Sequence, residues 1–152
     1  ATTLAAMAVQ PKAVALLSGA EWTRDGTAYS APAGRGAAAL VVQSLTDGCN
    51  DPADSSQLYD MLTGSKWFLA LDNATHLAPY IGEGAAAMVV EQATVGFFDL
   101  VLRRGDVTPA TLEHDGNQAG VSSITTASSV PLYPPPPYEP GACALPRGAP
   151  TG

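Results

Sequence analysis

Ala-Ala-Ala-Leu-Val-Val at 37–42, Asp-Ser-Ser-Gln-Leu-Tyr-Asp-Met-Leu at 54–62 and Lys-Trp-Phe-Leu-Ala-Leu at 66–71 lie within one stretch, 37–80, that decides the fold. The first and third segments are short apolar runs of strand length, and the second is helix-like, with Leu58, Met61 and Leu62 on one side. Strand, helix, strand at this spacing makes a parallel βαβ unit, because parallel neighbours need a crossover of a dozen or more residues. The loops leaving the two strands then open on the same edge of the sheet, where α/β sheets place their ligands. The first loop carries Asp47 and the second carries His76, so an acid and an imidazole meet on one rim.

That pair has a chemical meaning. A carboxylate that accepts the Nδ1 proton of an imidazole fixes its tautomer, so that Nε2 can take a proton from a nucleophile. One Asp and one His in loops are, without context, more often surface residues. Context comes from Val-Val-Gln-Ser-Leu-Thr-Asp at 41–47, Ser-Ser-Gln-Leu-Tyr-Asp at 55–60, Lys-Trp-Phe-Leu at 66–69 and Asn-Ala-Thr-His at 73–76. Together these segments resemble the acid and histidine segments of α/β-hydrolases, and within them the secreted lipases, cutinases and polyester hydrolases. The resemblance covers roughly residues 1–120 and is strongest over 37–80. It implies a partial α/β-hydrolase fold, its C-terminal half: parallel strands with flanking helices, followed by a Pro-rich tail over 121–152. It also implies that Asp47 orients His76. Asp51 and Asp54 are rival acids, ranked lower because they approach the next helix start.

Upstream, the Ala-rich run 1–9, with Leu4 and Met7 sharing a face, reads as a buried helix, and 12–18 as a strand. The resemblance places the nucleophile motif Gly-x-Ser-x-Gly immediately before Ala1, and no such motif occurs in the 152 residues. The lack of an initiator Met or basic leader agrees with a processed, trimmed or incomplete chain. Ser18, at a strand end on the same rim, is the best local candidate for a nucleophile, although an ordinary strand-end serine lacks the strained exposure of an elbow. By resemblance, Trp22 sits beside the catalytic mouth against the acyl part of a substrate; a tryptophan there is more usually a packing residue. Residues 23–36 form a polar, turn-rich loop, with Tyr29 more suited to packing.

Residues 85–104 form a helix, apolar over most of its face, with Arg103 and Arg104 in the last turn and Gly105 after it. Residues 109–113 add one more helical turn. His114 beside Asp115 lies in a polar segment without further ligands, which favours a solvated surface over a metal site. From Ser122 the chain turns Ser/Thr-rich and then runs through four consecutive prolines, favouring polyproline II. Cys143 in this tail and Cys49 near the acid allow one pairing, a disulfide that ties the tail to the rim and points to an exported protein.

Composition narrows the classes. Hydrophobic residues make up 46% of the chain, enough for a core. A net charge of −7 argues against nucleic acid or an anionic membrane as partner. No phosphate loop, clustered cysteines or metal helix motif appears, so no cofactor or metal is implied. The expected activity is therefore hydrolysis of a carboxylic ester, of lipid or polyester type, by a Ser-His-Asp mechanism. The nucleophile comes from a missing N-terminal half or a partner chain. The alternatives are recruitment of Ser18, or a noncatalytic remnant that binds a partner or ligand. The first strand would leave an apolar edge unpaired, a template for the missing half or for self-association.

Overall fold

The computed structural model describes residues 11–18, 36–102, 106–137 and 143. A four-stranded mixed sheet is its centre, in the order β1 (Ala13–Leu17), β2 (Ala38–Ser44), β3 (Lys66–Leu71), β4 (Ser122–Thr125). The first three strands are parallel, with Leu17 opposite Val42 and Val42 opposite Leu69. β4 runs antiparallel to β3, with Leu71 opposite Ser122.

Helices flank both faces, and the alternation of side chains along each strand explains why. Leu40 and Val42 of β2 and Trp67, Leu69 and Leu71 of β3 point to one face. There they meet Val89, Val90, Ala93 and Phe97 of α3 (Ala85–Leu102) and Leu112 of α4 (Pro109–Gly116). Ala39, Val41, Phe68 and Ala70 point to the other face, against Leu58 and Tyr59 of α1 (Pro52–Met61). With both faces covered, every residue of β2 is buried, as a continuous apolar run in a parallel sheet requires.

Local chemistry sets the element ends. Asp51 caps α1 by accepting from the Ala53 N–H at 2.9 Å, and Pro52 opens the helix where no N–H is needed. Gly64 lets the return to β3 close onto β2, since a Cβ there would strike the Ala37 carbonyl oxygen. Thr108 caps α4, accepting from the Thr111 N–H at 3.2 Å. A further helical turn, α2 (Ala78–Ile81), follows the His76 loop.

The strands at 37–42 and 66–71 and the helix at 54–62 are present with small shifts of boundary, and the helix expected at 85–104 is present over its described part, Ala85–Leu102. Two expectations are corrected. The turn at 109–113 extends to an eight-residue helix. Ser122, taken as the start of the tail, instead opens β4. There Ser122 and Ile124 face inward, the serine hydroxyl donates to the Gly116 carbonyl at 2.8 Å, and the Ile124 N–H donates to Asn117 Oδ1 at 3.0 Å. Polar side chains that find backbone partners suit a half-buried strand, which a compositional reading cannot see.

Beyond β4 the chain crosses the α1 face without regular secondary structure. The Tyr59 hydroxyl donates to the Ala127 carbonyl at 2.6 Å, Val130 is buried, and Tyr133 stacks on Phe68 with centroids 6.1 Å apart. Cys49 and Cys143 form a disulfide, Cα atoms 5.1 Å apart, that closes a loop spanning 94 positions. A disulfide typically contributes ~2–4 kcal/mol by restricting the unfolded chain. By length and composition α3 could cross a membrane, yet its Val89, Val90, Ala93 and Phe97 stripe packs on the sheet. The expected helix at 1–9, Trp22, Tyr29, and Arg103, Arg104 and Gly105 lie outside the described residues.

Phe97 is fully buried and meets Trp67 edge-on, with centroids 5.6 Å apart. Phe97→Ala is expected to lower the unfolding free energy by ~3–5 kcal/mol in urea titrations. Met88→Ala, at a 57% exposed position of the same helix, should stay within about 0.5 kcal/mol of the parent.

Candidate functional site

Parallel pairing of β2 and β3 puts their following loops on one edge, and two hydroxyls tie those loops together. Ser44 Oγ donates to the Ala74 carbonyl at 2.5 Å, and Thr46 Oγ1 donates to the same oxygen at 3.1 Å. The loop carrying Asp47 is thereby fastened to the loop carrying His76. The result is a contact of 2.9 Å between His76 Nδ1 and Asp47 Oδ2.

Asp47 is the better buried of the two, its side chain 1% exposed against 17% for His76. A buried carboxylate needs donors, and this one has them on both oxygens. Oδ1 accepts from the backbone N–H groups of Cys49 at 2.8 Å and Asn50 at 3.0 Å. Oδ2 accepts from Ser18 Oγ at 2.8 Å, from His76, and from Gln43 Nε2 at 3.3 Å. Burial pushes the carboxyl upward. The hydrogen bonds from His76, the Asn50 and Cys49 amides and Ser18 together outweigh it, so Asp47 lies below the ordinary carboxylate value. Ionised Asp47 can only accept, so Nδ1 carries the ring proton and Nε2 the lone pair. No described residue bonds Nε2.

The other candidates separate clearly. Asp51 is spent on the α1 cap and Asp54 sits in that helix's first turn. Ser18 reaches the site, buried at the end of β1, but its Oγ stands 3.2 Å from Nδ1 and donates to Asp47. A base at Nε2 cannot draw the proton of a hydroxyl held on the opposite side of the ring, so the structure gives Ser18 a supporting position. His114 and Asp115 meet at 3.2 Å on the surface, and no cluster able to hold a metal exists among the described residues.

Sequence reasoning missed Gln43, Asn50 and Tyr80. Gln43 carried a signal: it is a polar residue in an otherwise apolar strand. It is fully buried and accepts from Ser55 Oγ at 2.7 Å while donating toward Asp47. Asn50 lies in the Asp-Gly-Cys-Asn turn, where a carboxylate bonding amides two and three residues on is common. Tyr80 had no signal. Its buried hydroxyl makes no well-formed hydrogen bond among the described residues but lies near Ser18; burial, then the Asp47 charge, push its pKa up, and the Ser18 hydroxyl pulls it the other way. The chain matches no model of a known protein family, no curated protein and no solved structure.

Because the Asp47 carboxyl is lowered by folding, its ionised form adds stability above the unfolded value, about 4, and loses it as pH falls through the folded value. Asp47→Asn should cost at least about 2 kcal/mol at pH 7 in urea titrations, since it misplaces a donor among donors. The gap between variant and parent should narrow on acidification to pH 3. Tyr80→Phe removes a buried hydroxyl without a well-formed hydrogen bond among the described residues and should change stability by no more than about 1 kcal/mol in the same titrations.

Proposed function

We propose that this chain supplies the acid and the base of a serine ester hydrolase of α/β-hydrolase type, related to lipases, cutinases and polyester hydrolases. The observation that carries the reading is the 2.9 Å Asp47–His76 bond at the strand-end rim, with Nε2 bonded by no described residue. In the reaction, a serine Oγ loses its proton to Nε2 and attacks the ester carbonyl. The C–O bond breaks, the departing alkoxide takes the proton, and water releases the acyl group by the reverse use of the imidazole. Asp47 stabilises the imidazolium at each stage.

The serine is not among the 152 residues in elbow form, and Ser18 faces the wrong ring nitrogen. On this reading it arrives from a preceding half or a partner chain along the outer edge of β1, which has no strand partner among the described residues and ends beside His76. Trp22 would contact the acyl group. The disulfide agrees with an oxidising, extracellular setting. The missing elbow also supports a second reading, a hydrolase-like module that binds a partner without catalysis.

Protein from its native source, treated with a short-chain chromogenic ester and a serine-reactive phosphonate, decides between them. The hydrolase reading expects turnover, covalent labelling outside residues 1–152, and a fall of ~10²–10⁴ in rate with His76→Ala. Turnover indifferent to that substitution sinks the assignment, and neither turnover nor label would leave the binding module.

A further inference from the structure

We infer that Asn50 is a positioning residue for the Asp47–His76 pair and acts through Ser18. The inference rests on the hydrolase reading only in treating Nε2 as the working atom. Asn50 touches the pair once and Ser18 twice. Its backbone N–H donates to Asp47 Oδ1 at 3.0 Å, and its side-chain Nδ2 donates to the Ser18 carbonyl at 2.6 Å and to Ser18 Oγ at 3.0 Å.

A count of protons gives these contacts direction. The Ser18 carbonyl can only accept, so the amide must turn its nitrogen toward it; the flipped amide would set two oxygens against each other. With that orientation fixed, Nδ2 has only protons to offer, and Ser18 Oγ must accept from it. The one proton on Ser18 then goes to Asp47 Oδ2, 2.8 Å away. Toward Nδ1, at 3.2 Å, Ser18 presents a lone pair, and the ring keeps its proton on Nδ1. Released from Asn50, the hydroxyl could turn its proton from Asp47 to Nδ1, weakening the preference for Nδ1 that the carboxylate sets and raising the fraction of rings protonated at Nε2.

The backbone points the same way. Ser18 has φ +49°, the one positive φ at a non-glycine position among the described residues. L side chains rarely adopt that region, and such strain persists where surrounding contacts hold it. The Asn50 amide, gripping both the carbonyl and the hydroxyl of Ser18, is such a contact.

Nitrogen-15 NMR of the His76 ring reads the tautomer without substrate, so its outcome is separate from any test of ester hydrolysis. The parent should show Nδ1 protonated and Nε2 bare. Asn50→Leu should raise the Nε2-protonated fraction roughly fivefold, the factor supplied by one net hydrogen bond. Adding Ser18→Gly to that variant deletes the misdirected hydroxyl and suits the positive φ, so the parent ratio should return. A folded Asn50→Leu with an unchanged ratio, or a double variant that fails to restore it, overturns the proposal. Ser18→Gly alone keeps it testable should Asn50→Leu not fold: the ratio should match the parent, and a shift to Nε2 would show Ser18 acting without Asn50.

Discussion

A carboxylate at 1% exposure would ordinarily be a destabilising feature, and the architecture around Asp47 is arranged to offset it. Its five donors come from four different places: Ser18 at the end of β1, Gln43 in β2, the amides of Cys49 and Asn50 in the following turn, and His76 after β3. No single segment could supply them. The carboxylate is satisfied only when three parallel strands are in register, so the site and the sheet form together. The lowered pKa of Asp47 expresses the same fact: the bonds outweigh the burial.

This dependence gives the disulfide a local role beside its global one. Cys49 donates its N–H to Asp47 Oδ1 and is covalently tied to Cys143. The segment after β4 reaches that bond by crossing the α1 face, pinned by Tyr59 to Ala127, by Asp60 to the Val130 N–H at 3.2 Å, and by Tyr133 on Phe68. The turn that holds the acid is thus anchored at its base by β2 and at its tip by the far end of the chain. Restricting a turn in this way lowers the entropy lost when its amides align on one oxygen.

Much of this was legible in the sequence, for a physical reason. Continuous apolar runs at 37–42 and 66–71 admit few places other than the centre of a doubly covered sheet, and a helix of α1's length between them forces parallel pairing. Asp47 and His76 follow from that topology, because strand polarity alone brings their loops to one edge. What stayed hidden depended on partners distant in sequence. Ser122–Thr125 reads as a polar tail until Gly116 and Asn117 are seen to satisfy it. Ser18 reads as a possible nucleophile until the side of the imidazole it faces is known, and spacing along a chain carries no information about that side.

The polar groups left unsatisfied are not scattered. Among the described residues, three buried side-chain atoms lack a partner: Trp67 Nε1, Tyr80 OH and Thr94 Oγ1. Two of them, Tyr80 and Thr94, line a single cavity of about 320 Å³ with Leu17, Val90 and Val95, beside the edge strand β1. Leu17 and Val95 are there 42% and 56% exposed, and the outer edge of β1 has no strand partner among the described residues. Each unpartnered buried hydroxyl costs about 1–3 kcal/mol, and an apolar parallel strand at an open edge adds unpaired backbone groups to that cost. Among the described residues, both Asp47 carboxylate oxygens have donors, whereas on the β1 side these hydroxyls lack a well-formed bond and Nε2 has no described partner. A second body of polypeptide laid along β1 would relieve the apolar exposure and the open backbone edge, and would bring its own side chains to that nitrogen. The proposal of an externally supplied serine therefore draws on the distribution of unmet contacts as well as on the missing motif.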